Sequence, residues 1–310
     1  MGSIGIIGAT GAVGQAIAAE LRAQGRPYVA IGRDHARLEA LFGSDPLATC
    51  RVWDTESAET LVPALAGVES VIYLIGVEYW KFALHPVLTR RALDGARAAG
   101  VRRLLLIGTV YPYGRPGTAR VDESHSREPH TFKGRMRKEQ EDLVLAAHEP
   151  GVFETVGLRF PDLYGPRMEK SLLTSAFVNA RLGKPAQLLG PIDRPHEYAF
   201  IPDCAHVALR VLDEPHAYGS FWNYGGPGAI TTRAFAGEIY AQCGKKPRYQ
   251  IANNLMLRVL GLFNPLMREL VEMNYLITEP VLLDDSRLEA LIGGLRKTPY
   301  AEGIARTLER

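Results

Sequence analysis

The stretch IGIIGATGAVG at residues 4–14 decides how this chain folds. Ile4 to Ile7 is a short apolar run of the kind that forms a buried strand. Glycines follow at Gly8, Gly11 and Gly14. Residues 15–22, QAIAAELR, carry a helical pattern that stops at Gly25. A second apolar run, Tyr28 to Ile31, then closes on Gly32 and Arg33. Strand, glycine turn, helix and strand within about thirty residues make a βαβ unit. In such a unit the first glycine turns the chain tightly out of the strand. The second lets backbone approach a diphosphate, and the third lets the helix pack close to the sheet. The diphosphate rests on the N–H groups and positive end of the helix. The spacing therefore predicts a dinucleotide site built from Gly8, Thr10, Gly11, Ala12, Val13 and Gly14.

The end of the second strand selects the cofactor. NAD sites place Asp or Glu there for the ribose 2′-hydroxyl, whereas an arginine accommodates a 2′-phosphate. This chain has Arg33, with His35 and Arg37 behind it and Asp34 one place past the usual acid. A guanidinium binds phosphate bidentately and stacks on adenine. The expected cofactor is NADP rather than NAD.

The remaining strands extend the same rhythm. Cys50 to Trp53 reads as a third strand ending in Asp54, which could accept from an adenine amino group, cap a helix from Thr55 onward, or both. Val68 to Gly76 is a fourth strand, with Leu74 and Gly76 expected against a ribose. A helix around His85 to Ala99 precedes a fifth strand, Arg103 to Thr109, apolar throughout and so buried on both faces. A helical stretch from Lys133 to His148 leads to a sixth strand ending at Phe160. Alternating strands and helices predict an α/β fold, a doubly wound parallel sheet of the Rossmann type. Ligands of such sheets bind beyond the strands' C-terminal ends, where Gly8–Gly14, Arg33, Asp54, Gly76, Thr109 and Phe160 would gather. The expected division is a cofactor-binding domain over residues 1–165, with 197–215 returning to it. A smaller C-terminal substrate-binding region then takes most of 166–196 and 216–310.

The 310 residues are 46% hydrophobic and 23% charged, enough for a large core in one domain or two closely joined ones. The net charge of +2, with no basic run, gives no reason to expect nucleic acid. Cys50, Cys204 and Cys243 lie far apart, with neither metal-ligand nor disulfide spacing, which suits a reducing cytoplasm. The first strand begins too near Met1 for a signal peptide. The most apolar later stretch, Leu255 to Val271, is broken by Arg258, Pro265, Arg268 and Glu269, so no membrane span is expected. The protein is expected to be cytoplasmic, with a small-molecule substrate, no metal and no membrane partner.

Together these segments resemble the extended short-chain dehydrogenase/reductase family, specifically its epimerase/dehydratase group. GATGAVG is similar to that family's GxxGxxG turn. LRFPDLYGPR at Leu158–Arg167, FIPDCA at Phe200–Ala205, the Phe221–Gly226 segment and Lys297–Ile304 resemble four further motifs in the right order. The resemblance implies a Ser or Thr at the end of the fifth strand, matched by Thr109. It implies a YxxxK pair on the next helix, and there the chain departs: Lys133 and Arg137 stand in place of Tyr and Lys. The Asn of the proton relay falls on His85. The resemblance also implies a homodimer through the helices around His85–Ala99 and Lys133–His148, supported by Leu88, Leu93, Leu143 and Leu145.

Lys133 and Arg137 are four apart and share a helix face. Arg137 can supply the donors and positive charge that grip the nicotinamide ribose. Lys133 serves as proton donor if burial beside Arg137 eases loss of its proton. Tyr111 is the alternative phenol, and Tyr113 the structural one. Glu78, Tyr79, His85, Tyr164 and His196 are expected to line the substrate pocket, with Trp80 and Glu197 beside them. The leading expectation is an NADP-dependent oxidoreductase of the atypical extended class, reducing a small-molecule carbonyl. The alternatives are an epimerase or dehydratase that retains its cofactor, and a non-catalytic NADP-binding sensor.

Overall fold

The computed structural model describes residues 2–169 and 171–309. In its first half the apolar runs and amphipathic stretches alternate as β1 (Ser3–Ile7), α1 (Ala12–Ala23), β2 (Tyr28–Gly32), α2 (His35–Phe42), β3 (Ala48–Val52) and α3 (Leu61–Ala64). They continue as β4 (Val68–Tyr73), α4 (Leu84–Ala98), β5 (Arg103–Thr109), α5 (Phe132–Ala146) and β6 (Glu154–Phe160). Then come β7 (Asp162–Tyr164), α6 (Thr174–Arg181), β8 (Ala186–Leu189), β9 (Pro195–His196), β10 (Tyr198–Phe200) and α7 (Ile201–Asp213). The last part holds β11 (Phe221–Asn223), β12 (Ile230–Thr231), α8 (Thr232–Gln242), β13 (Tyr249–Ala252), α9 (Asn254–Leu260) and α10 (Pro265–Met273). It ends with α11 (Tyr275–Thr278), α12 (Ser286–Ile292) and α13 (Tyr300–Leu308).

Among the described residues, seven strands form one parallel sheet in the order β11-β6-β5-β4-β1-β2-β3. Successive strand residues point to opposite faces. Ile4, Ile6, Leu105 and Ile107 therefore meet α1 and α7 on one side. Ile7, Leu104 and Leu106 meet α3, α4 and α5 on the other. Each such buried aliphatic contributes roughly 1.5–3 kcal/mol. β11 joins this sheet beside β6, although its residues come from the stretch expected mostly in the substrate region. A third core, around Tyr164, Tyr198, Phe200 and Phe235, unites α6, α8, β8 and α13.

Two expectations are corrected here. No helix starts at Thr55, whose positive φ of 68° is foreign to a helix. Asp54 instead closes a turn, accepting from Glu56 N at 2.9 Å and Thr60 Oγ1 at 2.8 Å, and α3 begins only at Leu61. Leu88 and Leu93, expected to face a second copy, are buried in this chain, and Leu143 and Leu145 pack against the same sheet-side core. The apolar stretch from Leu255 to Val271 divides into α9 and α10. No helix among the described residues is long and apolar enough to cross a membrane.

Candidate active site

The glycine turn is held by backbone. Gly8 adopts φ 98°, and the N–H groups of Gly8 and Ala9 both donate to Ile31 O, at 3.0 and 3.2 Å. A Cβ on Gly14 would stand 2.6 Å from Ala9 O, so only glycine lets α1 pack this close. No side chain caps α1, whose N-cap is Gly11. A Cβ on Gly11 would meet only Gly8 O, at 3.6 Å, and one on Gly76 would meet nothing within 4 Å. The uncapped helix start and the open ground over these glycines fit a dinucleotide's diphosphate and ribose. Thr10, Ala12 and Val13 border this cradle, and Leu74 is tied into it by its N–H to Ile7 O at 3.0 Å. Arg33 and Asp54 stand exposed at the ends of β2 and β3. Phe160 is buried at the end of β6.

Thr131 caps the start of α5, accepting from Gly134 N at 3.0 Å, and the helix presents two cations one turn apart. Lys133 is corrected from the expected setting, desolvation beside Arg137. It is 0% exposed, and its ammonium lies between Glu269 and Glu272 of α10, the latter at 2.6 Å. Glu272 also accepts from Lys133 N at 3.0 Å, placing negative charge at the positive end of α5. Arg137 bonds to Gln140 Oε1 at 2.5 Å and His85 Nδ1 at 3.3 Å, with no carboxylate partner among the described residues and its Nε unpartnered. Burial pulls the Arg137 pKa below its usual value. His85, expected on the substrate pocket, is corrected: it is buried off the cavity lining, edge-on to Phe82 at 4.7 Å. Burial, and then the Arg137 charge, push its pKa down to about 2, so the ring is neutral and accepts. Arg137 and the His85 ring thus meet, while Lys133 is turned to α10.

Thr109, Tyr111, Tyr79, Glu78 and His196 line one cavity of about 1720 Å³ beyond the ends of β4, β5 and β6. Tyr79 and Tyr111 share a hydroxyl contact of 3.3 Å. Burial raises the pKa of both phenols, and for Tyr111 the neighbouring Tyr79 and Asp162 raise it further. Lys133 Nζ lies 5.9 Å from the Tyr79 ring centre, outside the cavity lining. His196 Nε2 meets Asp162 Oδ2 at 2.7 Å, across the β7–β10 and β9–β12 pairings that fix their backbones.

Tyr164 is corrected: it sits in the third core against Phe200 and Phe235, not on the cavity wall. Glu197 points the other way as well, bonded to Leu283 N at 2.9 Å and Arg120 at 3.1 Å, with its pKa raised by burial. Tyr113 joins Asn223 and Arg159, each at 2.8 Å, and Arg159 forks onto Glu141 at 2.8 and 2.7 Å.

The model of the NAD dependent epimerase/dehydratase family matches residues 4–225. The chain belongs to that family. This epimerase/dehydratase family is one of enzymes. A UDP-glucose epimerase of Bacillus subtilis, itself called uncharacterized, is 25% identical over 177 residues, 54% of this chain and 56% of that protein. The dTDP-6-deoxy-L-talose 4-dehydrogenase of Kitasatospora kifunensis is 27% identical over 172 residues, 52% of each chain. The chain thus spans about half the length of the curated relatives it matches. Among solved structures, a UDP-N-acetylglucosamine 4-epimerase from Bacillus cereus superposes with TM-score 0.79 at 18% identity, covering 100% of this chain and 99% of that one. A dTDP-glucose 4,6-dehydratase from Streptomyces venezuelae with NAD bound reaches 0.82 at 18%, covering 99% and 96%. At such identities the likeness shows the fold. Family membership favours the epimerase/dehydratase alternative over carbonyl reduction, and a nicotinamide cofactor without a preference for NADP. Within the family frame, Asp162 escaped the sequence reading although it lies in the LRFPDLYGPR segment. Glu269 and Glu272 escaped it too; their one faint signal is a three-residue spacing that puts both on one helix face.

Proposed function

We propose that this chain performs nicotinamide-dependent redox chemistry, of the epimerase/dehydratase kind, on a carbinol centre seated between Thr109 and His196. The observation that carries the reading is the presence, in one cavity at the sheet's C-terminal edge, of Thr109 and the Asp162–His196 pair. Thr109 Oγ1 accepts from Tyr111 N at 3.3 Å, so its own hydrogen is left to donate to a substrate oxygen. In the tautomer where His196 gives its Nε2–H to Asp162, the free Nδ1 is a proton acceptor. With their pKa values raised, Tyr79 and Tyr111 stay protonated and act as donors, not bases.

A nicotinamide cofactor held over the Gly8–Gly14 turn, with Arg137 at its ribose, would supply reversible hydride exchange with the carbinol carbon. On the protein's side, the substrate O–H bond breaks toward His196 Nδ1 as the carbonyl forms. The same nitrogen holds that proton and gives it back as the carbinol re-forms. Arg137, with no carboxylate partner among the described residues, supplies charge and donors on the ribose side. Lys133 acts as an anchor for α10. Arg33 supports NADP over NAD, because the one nearby acid, Asp34, is spent capping α2 by accepting from Arg37 N at 3.1 Å.

The test is His196→Gln, assayed against a panel of nucleotide sugars and apolar secondary alcohols by nicotinamide absorbance. Cofactor affinity should hold while turnover falls by roughly 10²–10⁴-fold, the span of a lost general base. Unchanged turnover in this variant would overturn the assignment.

A further inference from the structure

The cavity is larger than the roughly 300–1,000 Å³ of an ordinary ligand pocket. Leu172, Val178, Leu188, Ile251, Leu260 and Leu270 make most of its wall apolar, with the uncharged Ser175, Asn179, Gln187, Gln250 and Asn264 between them. Among the described lining residues the carboxylates are Glu78, Asp162 and Glu169, and the one Lys or Arg side chain is Arg268. A diphosphate needs cations and donors to replace its hydration. For that purpose the described wall offers a single guanidinium, that of Arg268.

The helices α9 and α10 form a hairpin over the cavity. Met256, Leu260, Leu266 and Leu270 lie on the lining. The other side of the hairpin and its tip are apolar and turned to solvent: Leu262 is 78% exposed, Phe263 87% and Leu255 70%. Trp80, Val178 and Ile251, also exposed, continue this apolar rim on the lining itself. A patch of that kind marks a binding surface. Its charges are one-sided. Glu269 and Glu272 turn inward to Lys133, while Arg258 and Arg268 are exposed with no ion pair among the described residues. An apolar tip with the exposed Arg258 beside it, and Arg268 at the cavity rim, complements an anionic lipid surface, where aliphatic and aromatic groups enter the interface and guanidinium groups meet headgroups.

We propose that the α9–α10 hairpin docks on an anionic lipid surface, and that the cavity beneath it takes a lipophilic alcohol or ketone from that surface in place of a nucleotide sugar. This departs from the expectation of no membrane partner, and it rests on the carbinol chemistry proposed above for the same cavity. Docking is peripheral, since no described helix can span a bilayer.

Two measurements on the full chain test it. In cosedimentation with phosphatidylcholine vesicles, added phosphatidylglycerol should raise binding at least tenfold. Leu262→Asp with Phe263→Asp should abolish binding, and Arg258→Gln should weaken it, with cofactor affinity unchanged in both. Nile red held in the cavity should be displaced by a long-chain secondary alcohol and not by UDP-glucose. Absence of vesicle binding, binding indifferent to the Leu262/Phe263 pair, or displacement by UDP-glucose alone each overturns the proposal. So does a wild-type dimer that the same pair dissolves, which would give the patch to a second copy. Neither measurement involves turnover, so its failure stands apart from the His196→Gln result.

Discussion

The two halves of the ligand edge are assembled by different means. The cofactor half is local: the turn from Gly8 to Gly14 and the strand at Ile31 are close in sequence and locked by backbone hydrogen bonds. The substrate half is gathered from far away. Its hairpin is tied to α5 by Glu269 and Glu272, which lie 136 and 139 residues from Lys133. A backbone-built turn is sensitive to one added carbon and indifferent to distant charge. A charge-built tie has the reverse sensitivities.

The largest effect should follow from cutting that tie on its acidic side. Glu269→Gln with Glu272→Gln leaves the fully buried Lys133 ammonium without a counter-ion, at a cost of roughly 3–5 kcal/mol. Denaturant titration should show it, and Lys133→Met should cost less, because both glutamates are partly exposed and can rehydrate. A double variant as stable as the parent would mean that charge does not hold the hairpin.

Next in size is Gly14→Ala. The new Cβ meets Ala9 O at 2.6 Å, and backbone yields poorly, so about 1–3 kcal/mol should be lost together with cofactor binding. Gly76→Ala sharpens the contrast, since its Cβ enters open ground and stability should hold. Thermal unfolding with and without cofactor separates the two, and equal Tm losses would contradict the packing argument.

Arg33→Ala should have the smallest effect on the fold, within about 0.5 kcal/mol, because the side chain is exposed. Calorimetric titration should find NADPH weakened about tenfold and NADH unchanged. Matching affinities for both cofactors in the parent protein would remove the case for NADP.

The same contrast explains what could be read from the sequence. Ile4 to Ile7 and Leu104 to Ile107 are continuous apolar runs bounded by glycine or polar residues, and a strand buried on both faces has no other way to be written. The position of Thr109 follows from its place at the end of β5. Asp162 and His196 meet only once β7 pairs with β10, a contact that no local pattern announces. The setting of Lys133 was hidden for the same reason, its partners lying on α10. Tyr164 misled because a tyrosine after a strand reads alike whether it faces a pocket or a second core.

β11 seals the sheet late in the chain. Phe221 lies opposite Gly157 of β6, where a Cβ would come within 2.1 Å of its ring, so glycine makes the berth and phenylalanine fills it. Until residues 221–223 emerge, β6 is an outer strand with unsatisfied N–H and C=O groups, a template for any other extended chain. A nascent or truncated chain ending short of Asn223 would carry that edge into solution and self-associate. The family match closes at residue 225, just past the point where the edge is capped. A fragment that includes β11 is therefore expected to refold with less self-association than one ending before Phe221, because the short β11 covers β6.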